Sequence, residues 1–142
     1  MTTLRFRTSA LAVVLSAALL SGCGKKTLSP SKTYPVKGKI MYKGEPARFV
    51  FVRFSPTDGK GAEGSARTDE HGEFELRTFS NTDENDGGVP GEYAVVIEGF
   101  DPARRGPKLP QGAKPTALEG EVKAPDTYEI KAENNELTIE IP

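Results

Sequence analysis

From Tyr34 to the C-terminus the apolar residues recur at every second position, and that period specifies strands. Val36, Ile40 and Tyr42 share one face of an extended chain, with Lys37, Lys39 and Lys43 on the other. Phe74, Leu76 and Thr78 alternate with Glu73, Glu75 and Arg77. Tyr93, Val95 and Ile97 make another inward row, and Leu137, Ile139 and Ile141 alternate with Glu136, Thr138 and Glu140. Phe49–Phe54 is apolar on both faces, so a strand buried between two layers is predicted there. Gly64–Thr68 reads as a weaker strand. Turn formers separate the runs: Gly44-Glu45-Pro46, Ser55–Gly61, and Asp69-Glu70-His71-Gly72, where Gly72 is free to take a positive φ. Short strands at this spacing predict an all-β antiparallel sandwich or barrel.

The first 33 residues follow different rules. Arg5 and Arg7 precede the eleven-residue apolar run Ala10–Leu20. A membrane-spanning helix needs about 20 such residues. A basic start and a shorter apolar run instead describe an export signal. The run ends in Leu20-Ser21-Gly22-Cys23, which resembles the lipobox of bacterial lipoproteins. The pattern has a chemical logic, because a transferase must reach the thiol and a peptidase must reach the Gly22–Cys23 bond past small side chains. The resemblance implies cleavage between Gly22 and Cys23, with Cys23 becoming a lipid-modified N-terminus. Gly24 lacks the Asp that signals inner-membrane retention in that family, so the resemblance implies the periplasmic face of the outer membrane or the cell surface. Gly24–Thr33 (GKKTLSPSKT) is polar and aperiodic and reads as a tether. The expected organisation is therefore a signal over 1–22, a lipidated Cys23 and tether over 23–33, and one domain over 34–142.

Composition removes several functions. Cys23 is the one cysteine of the chain, so no internal disulfide forms. One Cys and one His cannot supply the usual zinc ligands. A formal net charge of −1 gives no basic field for nucleic acid. No cofactor motif is present, and none is expected.

The order of motifs carries a second resemblance. Val36-x-Gly38-x-Ile40, Gly44-Glu45-Pro46 and Val50-x-Val52-x-Phe54-x-Pro56 are followed by Thr68-Asp69-Glu70-His71-Gly72-Glu73-Phe74 and Pro90-Gly91-Glu92-Tyr93-x-Val95. This series is similar to the carboxypeptidase regulatory-like domain over about residues 34–98. The resemblance implies a transthyretin-like sandwich of about seven strands, with residues 136–141 as the last. The matched motifs read as fold determinants, with Tyr93 a corner packing residue.

Four constellations invite chemistry. Ser65, Asp69 and His71 lie close in sequence, but no G-x-S-x-G elbow mounts the serine, and His71 sits in a turn. The acidic run Asn81–Gly88 (NTDENDGG) offers oxygen ligands, with Asp83, Asn85 and Asp86 as candidates for weak Ca²⁺ binding and Glu92 at the twelfth position. The run departs from an EF-hand at its first and sixth positions and has no flanking helices. Gly99–Gly120 is a 22-residue connection holding four Pro and four Gly. Such length marks a functional or mobile loop, and Arg104-Arg105 within it is a candidate grip for an anionic partner. Tyr42, Phe79, Phe100 and Tyr128 are candidate sugar-stacking aromatics, each equally suited to the core.

The expectation is a non-catalytic, lipid-anchored cell-envelope protein whose sandwich serves as an interaction or spacer module for protein or polysaccharide. The alternative is an accessory subunit of a larger secreted or envelope complex. An enzyme would need convergent titratable groups, and the sequence offers none.

Overall fold

A computed structural model describes residues 32–59, 61–79, 84–103 and 108–142. Among them the chain is all-β, with ten strands and no helix. They are β1 (Val36–Tyr42), β2 (Glu45–Pro46), β3 (Phe51–Pro56), β4 (Gly64–Arg67) and β5 (Glu73–Glu75), then β6 (Arg77–Phe79), β7 (Glu84–Asp86), β8 (Gly91–Glu98), β9 (Glu121–Ile130) and β10 (Asn135–Ile141). Two sheets form a sandwich. The smaller runs β10-β1-β2, with β5 also paired to β1; the larger runs β7-β6-β4-β3-β8-β9.

Part of the excess over seven strands has a local cause, and the short β2 and β7 make up the rest. Glu73–Phe79 is one alternating run in sequence, yet it changes sheet at Leu76. Phe74 pairs with Gly38 in the smaller sheet, and Thr78 pairs with Gly64 in the larger. Leu76 bridges the switch, donating its N–H to Val36 O and accepting from Gly87 N–H. Phe74, Leu76 and Thr78 all point into the core, as the alternation predicts.

Three expectations need correction. First, the pairing is not wholly antiparallel. β1 and β10 run parallel, from Val36↔Asn135 to Tyr42↔Ile141. A period of two is the same in both directions, so the sequence is silent on orientation. Second, Phe49–Phe54 is buried on one face only. Val50, Val52 and Phe54 are fully buried, whereas Phe49, Phe51 and Arg53 remain half-exposed. A strand in a two-layer sandwich has one core face, and Phe49 breaks the strand with φ 55. Third, the first turn is Lys43-Gly44, with φ 51 and 82, and Glu45-Pro46 already belongs to the returning strand. A two-residue type I′ turn needs positive φ at both central positions, which proline cannot supply.

The core is centred on Phe54, whose ring lies 5.7 Å from Phe74 and 6.2 Å from Tyr93. Tyr93 is the predicted corner residue. Its hydroxyl donates to Val89 O at 2.8 Å, closing the approach to β8. Burial pushes the Tyr93 phenol above its ordinary pKa, and Asp58 adds to the shift.

Gly38 is required because its Cβ would lie 2.3 Å from Leu137 O and 2.8 Å from the Phe74 ring. The turn at Asp69–Gly72 forms as predicted. Asp69 Oδ1 accepts from the N–H groups of His71 and Glu73, and buried Gly72 takes φ 75.

Thr68 restores the ladder where Phe49 interrupts it. Its buried hydroxyl donates to Ala47 O at 2.6 Å and accepts from Val50 N–H at 3.0 Å. Thr68→Val keeps the volume but leaves both groups unpartnered. We expect a loss of about 1–3 kcal/mol, measured by urea denaturation with an unchanged m-value.

Candidate functional site

A groove of about 990 Å³ lies over the smaller sheet. Strand register builds it in rows. Lys37 of β1 lies between Glu75 of β5 and Glu136 of β10, and Lys39 lies between Glu73 and Thr138. Met41 lies between Pro46 of β2 and Glu140 of β10. Lys37 Nζ reaches Glu75 Oε1 at 2.5 Å. That hydrogen bond, with the attached charge, raises the Lys37 pKa and lowers that of Glu75. Both groups are exposed, so solvent screens the pair. Glu136 and Glu140 have no cation within 4 Å among the described residues. The groove is thus mixed in charge, with Lys37, Lys39, Arg67 and Arg77 against Asp69, Glu73, Glu75 and Glu136, and Glu140 lies beyond it on β10.

A second region lies at the end of the larger sheet. Gly99–Gly120 joins β8 to β9, as expected, but its second half is docked. Thr116 N–H donates to Arg48 O, and Arg48 N–H donates to Thr116 Oγ1 at 2.8 Å. Leu118 packs against the core and stands over Gly99, whose Cβ would meet Leu118 O at 2.9 Å. The Arg67 guanidinium sits 5.6 Å from the centre of the Phe100 ring. A cavity of about 270 Å³ there is lined by Glu98, Phe100, Asp101, Leu118 and Glu121, among others. Arg53 holds Glu121 at 2.8 Å and the largely buried Glu98 at 3.7 Å.

Several candidates lie outside the described residues: Gly22, Cys23, Asp83, Arg104 and Arg105. Asn85 and Asp86 fall in β7, whose backbone pairs with Thr78 and Arg77 of β6, so the acidic run is in part strand rather than open loop. Among the described residues no group of three metal-ligating side chains converges. Glu92, at the twelfth position of that run, accepts a hydrogen bond from Thr127 Oγ1.

Ser65, Asp69 and His71 do not assemble. Ser65 pairs across strands with Arg53 and Arg77. Asp69 caps its own turn, and His71 Nε2 faces Glu70 at 3.5 Å in solvent.

The aromatics form no single platform. Tyr42 and Tyr128 pack on the core margin, and Phe100 carries Arg67. The Phe79 side chain lies outside the description. Burial, then Asp126 and Glu140, raise the Tyr128 pKa.

Sequence reasoning missed Asn135. Its side chain accepts from Lys131 N–H and donates to the carbonyls of Lys131, Glu133 and Pro35, fixing the β9–β10 turn. The Asn134-Asn135 pair was the available signal, since such residues hydrogen-bond local backbone.

Comparison with protein-family models and with curated proteins found no match to this chain.

Proposed function

We propose that this is a lipid-anchored, non-catalytic cell-envelope protein, held by Cys23 and presenting its β-sandwich as an interaction or spacer module for protein or polysaccharide. The observation that carries the reading is Leu20-Ser21-Gly22-Cys23 placed directly after the Ala10–Leu20 run. One structural fact supports it. Asp69 is committed to its own turn, which separates it from His71 and Ser65 as a catalytic set. The all-β sandwich also agrees with the resemblance to carboxypeptidase regulatory-like domains, which we adopt as the family proposal.

The test is mass spectrometry of the N-terminal peptide from protein purified out of the producing bacterium. We expect Cys23 as the first residue, carrying a diacylglyceryl thioether. A chain that begins at another residue, or an unmodified Cys23, overturns the proposal.

A further inference from the structure

We propose that the outer edge of β10 is a docking site for an extended segment of a partner protein, one with basic residues four apart flanking two apolar residues. This inference rests on the interaction-module reading and names the partner's chemistry.

The hydrogen-bond pattern exposes the edge. β10 pairs with β1 alone among the described residues. Asn135 N–H donates to Pro35 O, and Lys43 N–H donates to Ile141 O. In a parallel pair each such residue spends both its N–H and its C=O on the same neighbour. Asn135, Leu137, Ile139 and Ile141 therefore face β1, and Glu136, Thr138 and Glu140 turn their backbone groups outward. Those three side chains are exposed, while Leu137 is half-buried at the margin of the core. The other edges are poorer templates. β9 carries Pro125 and lies opposite an irregularity between Ala94 and Val96. β2 and β7 have two and three residues.

Charge selects the occupant. In the register that uses all three outward residues, a second copy would set Glu136 against Glu140 of its mate, twice. Like charges directly opposite destabilise strand pairing, so the edge is guarded against self-association. A strand with Lys or Arg opposite Glu136 and Glu140 gains what the copy loses. Its intervening residues, beside Leu137 and Ile139, would extend the core and are therefore apolar. The rest of this face is mixed in charge, with Asp69, Glu73 and Glu75 against Lys37, Lys39, Arg67 and Arg77, so the selection rests on Glu136 and Glu140 themselves. Main-chain bonds supply such docking, and alternate side chains its selectivity.

The test uses the protein purified in detergent from membranes of the expressing cell. The probe is a fluorescein-labelled, end-blocked peptide Gly-Lys-Val-Thr-Val-Lys-Gly, read by anisotropy. We expect saturable binding that a Glu-for-Lys peptide lacks. The double variant Glu136→Lys/Glu140→Lys should weaken the Lys peptide about tenfold and favour the Glu peptide by a similar factor. Thr138→Pro removes one outward N–H and should lower affinity further. Amide exchange on the unmodified protein provides a readout independent of folding. Peptide should slow exchange at Glu136, Thr138 and Glu140, and leave Asn135 and Leu137 unchanged.

Absence of binding at millimolar peptide overturns the inference. So does affinity indifferent to the charge swap, protection elsewhere, or a stable homodimer closed through β10. The lipid on Cys23 is read separately by mass spectrometry, so failure at the edge and failure of the anchoring proposal are distinguishable.

Discussion

Cys23→Ala is expected to abolish labelling by radioactive palmitate and to eliminate the lipid-anchored population from the membrane fraction. The size of the effect follows from acyl-chain energetics. Each buried CH₂ contributes about 0.8 kcal/mol, yet a single chain binds a bilayer only marginally. A diacylglyceryl group with two chains holds the protein firmly, and without the thiol no thioether forms. Lys25, Lys26 and Lys32 in the tether region each add at most about 1 kcal/mol near anionic head groups, and salt screens that term. The variant should therefore carry no acyl label and retain only salt-sensitive adsorption after processing. Labelling of the variant, or retention equal to that of the parent in high salt and without detergent, refutes anchoring through Cys23. An adjacent Ser21→Ala variant, still small at that position, should remain labelled and separates loss of the thiol from disturbance of the motif.

Phe54→Ala is expected to cost about 3–5 kcal/mol, a large fraction of the 5–15 kcal/mol typical of a domain. Phe54 is fully enclosed between Phe74 and Tyr93, across the interface of the two sheets. Its removal leaves a cavity that the flanking rings can fill only by leaving their own sites. Phe51→Ala, three residues away on the same strand, should cost well under half as much, because Phe51 faces outward and is half-exposed. Paired urea melts of the two variants measure the difference. Equal losses would restore the expectation of a strand buried on both faces and overturn the sidedness described here.

That contrast marks how far the residues alone can be read. Alternation at Phe74–Thr78, Tyr93–Ile97 and Leu137–Ile141 reveals the inward rows, because a strand has two faces and water selects between them. Asp69–Gly72 is legible as a turn, since a side-chain acceptor and a glycine are what that geometry consumes. Phe49–Phe54 misleads because apolar residues on both sides mean two-sided burial only when a third layer exists. The direction of β10, the sheet switch at Leu76 and the docking of Thr116 on Arg48 are long-range events. Arg48 and Thr116 are 68 positions apart, and nothing local encodes their two hydrogen bonds.

The candidate site divides in the same way. Cys23 is legible because the modification proposed for it would be read by enzymes from linear sequence. The rows Glu75–Lys37–Glu136 and Glu73–Lys39–Thr138 exist only through register, so no scan of the chain would assemble them. Glu136 and Glu140 read in sequence as the ordinary solvent face of a terminal strand. Only the parallel pairing with β1 identifies which backbone groups accompany them outward.

The parallel pairing of β1 with β10 has a mechanical consequence. A chain held at its N-terminus transmits any pull into Tyr34 and from there along the axis of β1. β1 is paired on one side with β10 along the full length of both strands, and on the other with β5 and β2. Force along a strand loads its cross-bonds together in shear, whereas force across a strand breaks them one at a time. The first strand after the proposed tether is thus the one laced on both sides along its length. If the chain is anchored through Cys23 as proposed, tension should make the domain yield late and abruptly.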